Sequence, residues 1–452
     1  MNKSLFSTLL LMFAFSMAVF AQESEKTIKK ADKMVRSYST AVGSGTAKPG
    51  DIDKLKEAAA MLETIPATDP YAFYAQQVKG DLHAAYIGTD AYAIIQSSVT
   101  GQPAAINHSD KAVGGAEAYV AAYQAANDAM SSADKKVAKR AKKVVKSTVK
   151  GAKSFGKELQ QVGATMINRA QESNNEDDYA AAYSLYTAIT ALNAMMKQAG
   201  EPIVEDAAAA DMQYYRLVTG SRGAATPEEN EEIVMALLDA NYDNTYVYRN
   251  AYDIYKERDE AKALGYLKAG QKRYPEDADL VVLEVNHYLQ AGETEKMEQV
   301  AQRAIELMPE NKSLYIVLAE QVYEPQFQAA FDANNVEDSE KFFNKAVAQY
   351  EKVLELQDDY AAAVSGIGLL YYNRGVKMAK AAENITDMKL YDAKKEEADA
   401  FFEKARPYFE RALKIDGNNK LALQGMRGVA VRQNKMDEAK MYKERLEALG
   451  SN

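Results

Sequence analysis

Residues 135–157 carry ten basic side chains and no acid: Lys135, Lys136, Lys139, Arg140, Lys142, Lys143, Lys146, Lys150, Lys153 and Lys157. Between them Val137, Ala141, Val144, Thr148, Ala152 and Phe155 recur every three or four positions, a spacing that predicts an amphipathic helix with a cationic outer face. Such a face has one evident chemistry, attraction of an anionic partner: lipid headgroups, an acidic polysaccharide or an acidic protein surface. The plainer reading is a solvated face paired with acidic stretches such as 172–178 or 228–232.

A second constellation is aromatic. Tyr248, Tyr252 and Tyr255 stand at i, i+4 and i+7, with Arg249 and Lys256 beside them. Tyrosine brings a large contact area with few rotors, which suits a binding surface. Reactive constellations do not emerge. His83, His108 and His287 are the only histidines, and none has another histidine or a spaced pair of carboxylates at ligand distance along a helix. The sequence has no phosphate-binding glycine loop, no HExxH and no GxSxG. Glu396, Glu397 and Asp399 fall on a strongly polar segment, where carboxylates solubilise far more often than they catalyse. The expectation is a protein without catalysis, cofactor or metal.

The elements that must position these residues are helical. Ala, Lys, Glu, Gln, Met and Leu dominate, and apolar alternation never runs far enough to read as a strand. Helices are expected over 24–42, 51–65, 71–87, 90–99, 116–130, 133–174 with a break near Gly151 or Gly156, 179–198 and 203–219. Thr100–Gly115 reads as a loop. From Asn244 a 34-residue beat sets in: Val247, Val281 and Tyr315 are 34 apart, as are Ala263 and Met297, Gly270 and Ala304, and Pro275 and Pro309. The first helix of each unit carries triplets such as Val281/Val285/Tyr288, Tyr315/Ala319/Val322, Val364/Gly368/Tyr371 and Leu423/Arg427/Ala430. The second carries Met297/Ala301/Ala304, Ala346/Tyr350/Val353, Ala405/Phe409/Ala412 and Ala439/Lys443/Leu446. Small residues let paired helices approach, and large ones fill the neighbour's groove.

This pattern resembles the tetratricopeptide repeat family, well over 201–452 and more weakly over 24–200, where Asp178–Tyr183 is similar to the start of a repeat's second helix. The resemblance implies an all-α, right-handed solenoid of stacked antiparallel helix pairs. It also implies that first helices line a concave groove, which would place Tyr248, Arg249, Tyr252, Tyr255 and Lys256 where a partner protein or a sugar could be gripped. Two units are stretched, at about 312–360 and 361–419, and are expected to form extended helical hairpins. Arg427 and Lys443 depart from the pattern in the last unit, as expected of a solvent-facing cap.

Residues 1–21 read as a secretory signal peptide, with Lys3, an apolar run from Leu5 to Phe20 and small side chains before Gln22; no further segment approaches membrane length. Cysteine is absent, which excludes disulfides, thiol chemistry and a lipoprotein anchor. Residues 22–200 hold 22 cations and 19 anions, a net of +3, whereas 201–452 hold 32 and 46, a net of −14. The acidic half and the export signal argue against nucleic acid as a ligand. The expected organisation is a signal peptide (1–21), an N-terminal helical region (22–200) and a repeat solenoid (201–452). The expected function is a non-catalytic, exported scaffold for protein–protein interaction in a bacterial envelope, periplasmic or extracellular. Binding of a carbohydrate or other envelope ligand is the alternative.

Overall fold

The computed structural model describes residues 3–450, with side chains described for residues 19–449. Most of the leader, residues 1–21, therefore lies outside the residues whose side chains are described. Among the described residues there is no strand, and no helix is long and apolar enough to cross a membrane. The chain divides into two compact units, Met1–Asp259 and Glu260–Asn452. The division drawn from the sequence at 200/201 falls inside the first unit.

The first unit contains α1 (Lys3–Gly43), α2 (Asp53–Glu63), α3 (Ala72–Thr100), α4 (Lys111–Ala129), α5 (Lys135–Ser173), α6 (Glu176–Gln198), α7 (Asp206–Thr219), α8 (Pro227–Asp239) and α9 (Thr245–Tyr255). Helix α5 shows how local sequence makes an element. Asp134 caps it, its carboxylate accepting from the amides of Lys136 at 2.7 Å and Val137 at 3.3 Å. The apolar positions seen in the sequence are all buried, and the stripe continues through Leu159, Val162, Met166 and Ala170. Asn174 ends it in the left-handed region (φ 51), where asparagine is tolerated; Asn241, Asn334 and Asn434 end other helices in the same way.

Two expectations are corrected here. The helix does not break at Gly151 or Gly156, because both positions are sites of close approach. A β-carbon would lie 2.7 Å from the Tyr119 hydroxyl at Gly151 and 2.6 Å from Ile203 Cδ1 at Gly156. Likewise α3 runs unbroken to Thr100 and α4 begins at Lys111, so the loop is 101–110. The buried Asp90 carboxylate secures that loop by accepting from the amides of Asn107 (3.1 Å) and His108 (2.8 Å).

The second unit is built of helix pairs: α10 (Glu260–Arg273), α11 (Ala278–Ala291) with α12 (Thr294–Leu307), α13 (Lys312–Val317) continuing through a π-helical turn into α14 (Glu324–Asp332), α15 (Val336–Leu356), α16 (Ala361–Ala382) with α17 (Met388–Ile415), and α18 (Lys420–Arg432) with α19 (Met436–Gly450). The stretched repeats are the longer pairs α13–α14 with α15 and α16 with α17, as the spacing predicted. The repeat triplets form the core: Val281, Val285 and Tyr288 pack with Met297, Ala301 and Ala304, and Ala346, Tyr350 and Val353 pack with Tyr315, Ala319 and Val322. The register slips only in the last pair. Arg427 and Lys443 are exposed, and Met426 and Tyr442 take the buried positions beside them. The fold is thus all-α, made of stacked antiparallel helix pairs.

Candidate functional site

Helix α5 carries the site on two of its faces. On the outer face Lys135, Lys136, Lys139, Lys142, Lys143, Lys146, Lys150, Lys153 and Lys157 are all exposed. Lys153 pairs with Glu201 at 3.0 Å, and among the described residues the other eight have no carboxylate within ion-pair reach. The expected pairing with 172–178 and 228–232 does not occur. Arg140 is the exception within the run. Its guanidinium packs 3.8 Å from the centre of the Tyr74 ring, with Nε 3.7 Å from Glu25, so it belongs to packing and not to the free face. A planar, weakly hydrated guanidinium suits that position, whereas the compact ammonium of lysine remains in water.

The inner face of α5 runs parallel to α3 in a constant register. Gln77 accepts from the Ser147 hydroxyl at 3.2 Å, Gly151 faces Asp81, Gly88 faces Glu158, and the Gln161 amide donates to the Ala91 carbonyl at 3.3 Å. Each of these four pairs is 70 residues apart in sequence. Helix α4 packs against both in the opposite direction, with Tyr119 against Gly80 and Gly115 against His83 and Phe155. Together with α1 they enclose an open cleft of about 710 Å³. Asp81 and Glu158 both line it, with Ala84, Ala85, Tyr119 and Phe155 between them, and Arg36 and Lys150 also on its wall.

The two carboxyls are electrostatically unlike ordinary surface acids. Burial pushes Asp81 up to about 6, against the opposing effect of the Tyr119 hydroxyl, which donates to it at 2.7 Å; Gln77 donates to its other oxygen. Burial pushes Glu158 up to about 7, offset only in part by the Ser154 hydroxyl. Among the described residues neither has a basic group within ion-pair distance, although the Arg36 charge acts on Asp81. The Arg36 guanidinium is already committed to Asp32 at 2.6 Å, and the Tyr74 hydroxyl holds the other Asp32 oxygen at 2.8 Å. Desolvated carboxyls in a cleft make it a candidate functional site.

Sequence reasoning missed this cleft. A signal was present: an acid and a glycine seven apart on α3 (Asp81, Gly88) and the same pair in reverse on α5 (Gly151, Glu158). Its meaning depends on the parallel alignment of two helices separated by α4.

The tyrosine stripe is corrected. Tyr252 and Tyr255 on α9 are buried, 4 % and 7 % exposed, and Tyr248 and Arg249 are half-buried. The Tyr255 hydroxyl donates to Glu231, and Arg258 lies 5.0 Å from its ring centre while pairing with Glu231 at 2.8 Å. Lys256 is exposed but bonded to Asp253 at 2.9 Å. Consecutive helical residues are only about 100° apart, so the stripe at 248, 252 and 255 adjoins the packing stripe at 247 and 251. The buried arc has widened onto the tyrosine side. Tyr252→Ala is therefore expected to lower unfolding stability by about 3 kcal/mol, as for other large aromatic truncations in a core. Urea unfolding followed by circular dichroism checks this, and an unchanged midpoint would return Tyr252 to the surface.

The histidines are individually accounted for. His83 Nδ1 lies 3.0 Å from the Lys111 carbonyl, His108 Nδ1 lies 2.8 Å from Asp90, and His287 Nε2 lies 3.0 Å from Glu260.

No protein-family model matches the chain, and no curated protein matches it. Solved helical-repeat structures do. A TPR repeats protein from Bacteroides fragilis is 18% identical over 60% of this chain and 98% of its own, with a TM-score of 0.24. Yeast Tom70 is 14% identical over 94% and 91%, with a TM-score of 0.27. A MamA RS-1 double mutant is 15% identical over 46% and 96%, with a TM-score of 0.31.

Proposed function

We propose that the protein is a non-catalytic, exported helical-repeat scaffold that holds an acidic partner protein against the outer face of α5. The observation that carries this reading is the row of eight exposed lysines without internal counter-charges. On a straight helix the row from 135 to 157 is about 33 Å long, the length of a protein–protein contact. This face leaves its field without ion pairs and available for steering and docking. Lipid insertion is disfavoured by the packing. An interfacial helix needs a free apolar face, and Val137, Ala141, Val144 and Phe155 are buried inside the first unit. The apolar run at 5–20 followed by a polar segment supports export.

The test replaces Lys139, Lys142, Lys143 and Lys146 by Gln. Partners cross-linked to the native protein in its own envelope fraction are expected to fall about tenfold in recovery with this variant, and to fall for the native protein as ionic strength rises above about 0.15 M. Capture that survives both changes would refute the lysine face as the docking surface. Binding to anionic vesicles or acidic glycans with no protein captured would replace this reading with a different one. Binding of a small envelope ligand is the second reading, and the cleft beside α5 is what favours it.

A further inference from the structure

The cleft between α1, α3, α4 and α5 has a definite plan. Its two carboxyls come from opposite walls, Asp81 from α3 and Glu158 from α5. Because α3 and α5 run parallel in one register, Asp81 and Glu158 are offset by seven residues along the cleft, about 10 Å at 1.5 Å per residue. Each faces a glycine on the other helix. At Gly151 a β-carbon would come 2.9 Å from Asp81 Oδ1, and at Gly88 it would come 3.6 Å from Glu158 Oε2. Glycine thus lets each carboxyl lie close against the opposite helix; at Gly151 the Asp81 carboxyl and the Tyr119 hydroxyl take the space a side chain would fill. The stretch between them is largely apolar, lined by Ala84, Ala85, Tyr119 and Phe155. Two acids about 10 Å apart along the cleft, with mostly apolar side chains and Ser154 between them, are complementary to a linear molecule with a cation at each end.

We propose that this cleft binds a linear aliphatic diamine or polyamine, one ammonium at Asp81 and the other at Glu158. Neither carboxyl is ion-paired among the described residues, although the Arg36 charge acts on Asp81 from across the cleft. The nearby Arg36 charge is taken up by Asp32, and the Lys150 ammonium stands exposed at the rim. The Tyr119 hydroxyl bonds to Asp81 and holds it in place, and the Ser154 hydroxyl lies near enough to Glu158 to favour its charged form. A bound diammonium requires both acids ionised. Because burial favours their neutral forms, binding releases protons and strengthens as pH rises. The charged and titratable groups lining the cleft are Arg36 from α1, Asp81 and Tyr92 from α3, Tyr119 from α4, and Lys150 and Glu158 from α5, with Asp32 bonded to Arg36. Of these, Asp81 and Glu158 titrate between weakly acidic and neutral pH.

Isothermal titration calorimetry of the whole mature protein tests this with three probes of equal carbon length: hexamethylenediamine, hexylamine and hexanediol. At about pH 8 the diamine is expected to bind at least tenfold more tightly than hexylamine, with hexanediol silent, and to weaken by a similar factor at about pH 5.5. At about pH 6.5, where both acids are partly protonated, the enthalpy is expected to vary with the buffer's ionisation heat, which reads the released protons. Glu158→Gln and Asp81→Asn, each nearly isosteric, are expected to reduce the diamine to the affinity of hexylamine. The quadruple lysine-to-glutamine variant on the outer face is expected to bind the diamine as well as the native protein does, so a failure of the scaffold reading and a failure of this one are separable. Equal affinity for diamine and hexylamine, pH-independent binding of hexanediol or a sugar, or no diamine binding at about pH 8 would each overturn the proposal.

Discussion

Glu158→Gln is expected to stabilise the protein by about 2–3 kcal/mol near pH 8 and to have almost no effect near pH 4. The carboxyl is raised from its ordinary 4.5 to about 7 by burial, so the fold prefers it protonated. Below about pH 4.5 the acid is neutral in both folded and unfolded chains, and its titration costs nothing. As pH climbs towards 7 the unfolded chain ionises freely while the folded one resists, and stability falls; above 7 the loss is complete. Glutamine has the same shape and never ionises, so it escapes the loss. Chemical denaturation across this pH range checks the result. A variant no more stable than the native protein at pH 8 would show that Glu158 is well solvated. Asp81, pushed up to about 6 from 3.8, is expected to behave similarly but less strongly, because Tyr119 and Gln77 bond to its charged form. Since the glutamine variant should be the more stable protein, any ligand affinity it loses cannot be blamed on unfolding.

Gly425→Ala is expected to cost about 3 kcal/mol, the upper end for overpacking, despite adding a single methyl group. Phe409 on α17 is fully buried and its ring lies against two glycines, Gly368 on α16 and Gly425 on α18. A β-carbon at Gly425 would overlap the ring itself, and one at Gly368 would lie 2.8 Å from Phe409 Cε1. The ring thus wedges three consecutive helices of the second unit at distances only glycine permits. Gly368→Leu is expected to lose about 1–3 kcal/mol by the same overpacking. Phe409→Ala removes the wedge and is expected to cost about 3–5 kcal/mol. The penalty of Gly425→Ala should shrink in a Phe409→Leu background, because the two changes share one contact. Denaturant melts of the single and double variants measure all of this. Full additivity would show that the glycine and the ring do not meet.

Much of this architecture is written locally. The apolar positions of α5 recur at helical spacing, and a helix of 39 residues with that stripe buried is what the spacing demands. The 34-residue beat yields helix pairs, because a unit of that length is one helix, a turn and a second helix that cannot bury its face alone. Small residues at Ala301, Ala346 and Ala405 mark where the partners approach, and all three are fully buried. The lysines of α5 could be placed outside for the same reason: only the opposite face had a core to join.

Tertiary structure decided what depends on which helix lies beside which. A single arginine in a run of lysines gives no local sign that it will stack on Tyr74, 66 residues earlier. Tyr252 and Tyr255 adjoin the packing stripe of α9, and only the breadth of the neighbouring surface determines whether such flanking residues are buried or exposed. The same holds at α19, where Tyr442 and not Lys443 faces inward. Glycines 151 and 156 read as breaks because glycine weakens an isolated helix by about 1 kcal/mol; close packing outweighs that loss and requires their lack of a side chain. The cleft is the clearest case. Asp81 and Glu158 are ordinary acids in the sequence, 77 residues apart, and their high proton affinity arises only when folding removes water from both without bringing a cation into ion-pair contact. Periodicity is a property of one helix and can be read from its own residues, whereas desolvation and register between helices are properties of pairs, set by long-range packing that no local pattern encodes.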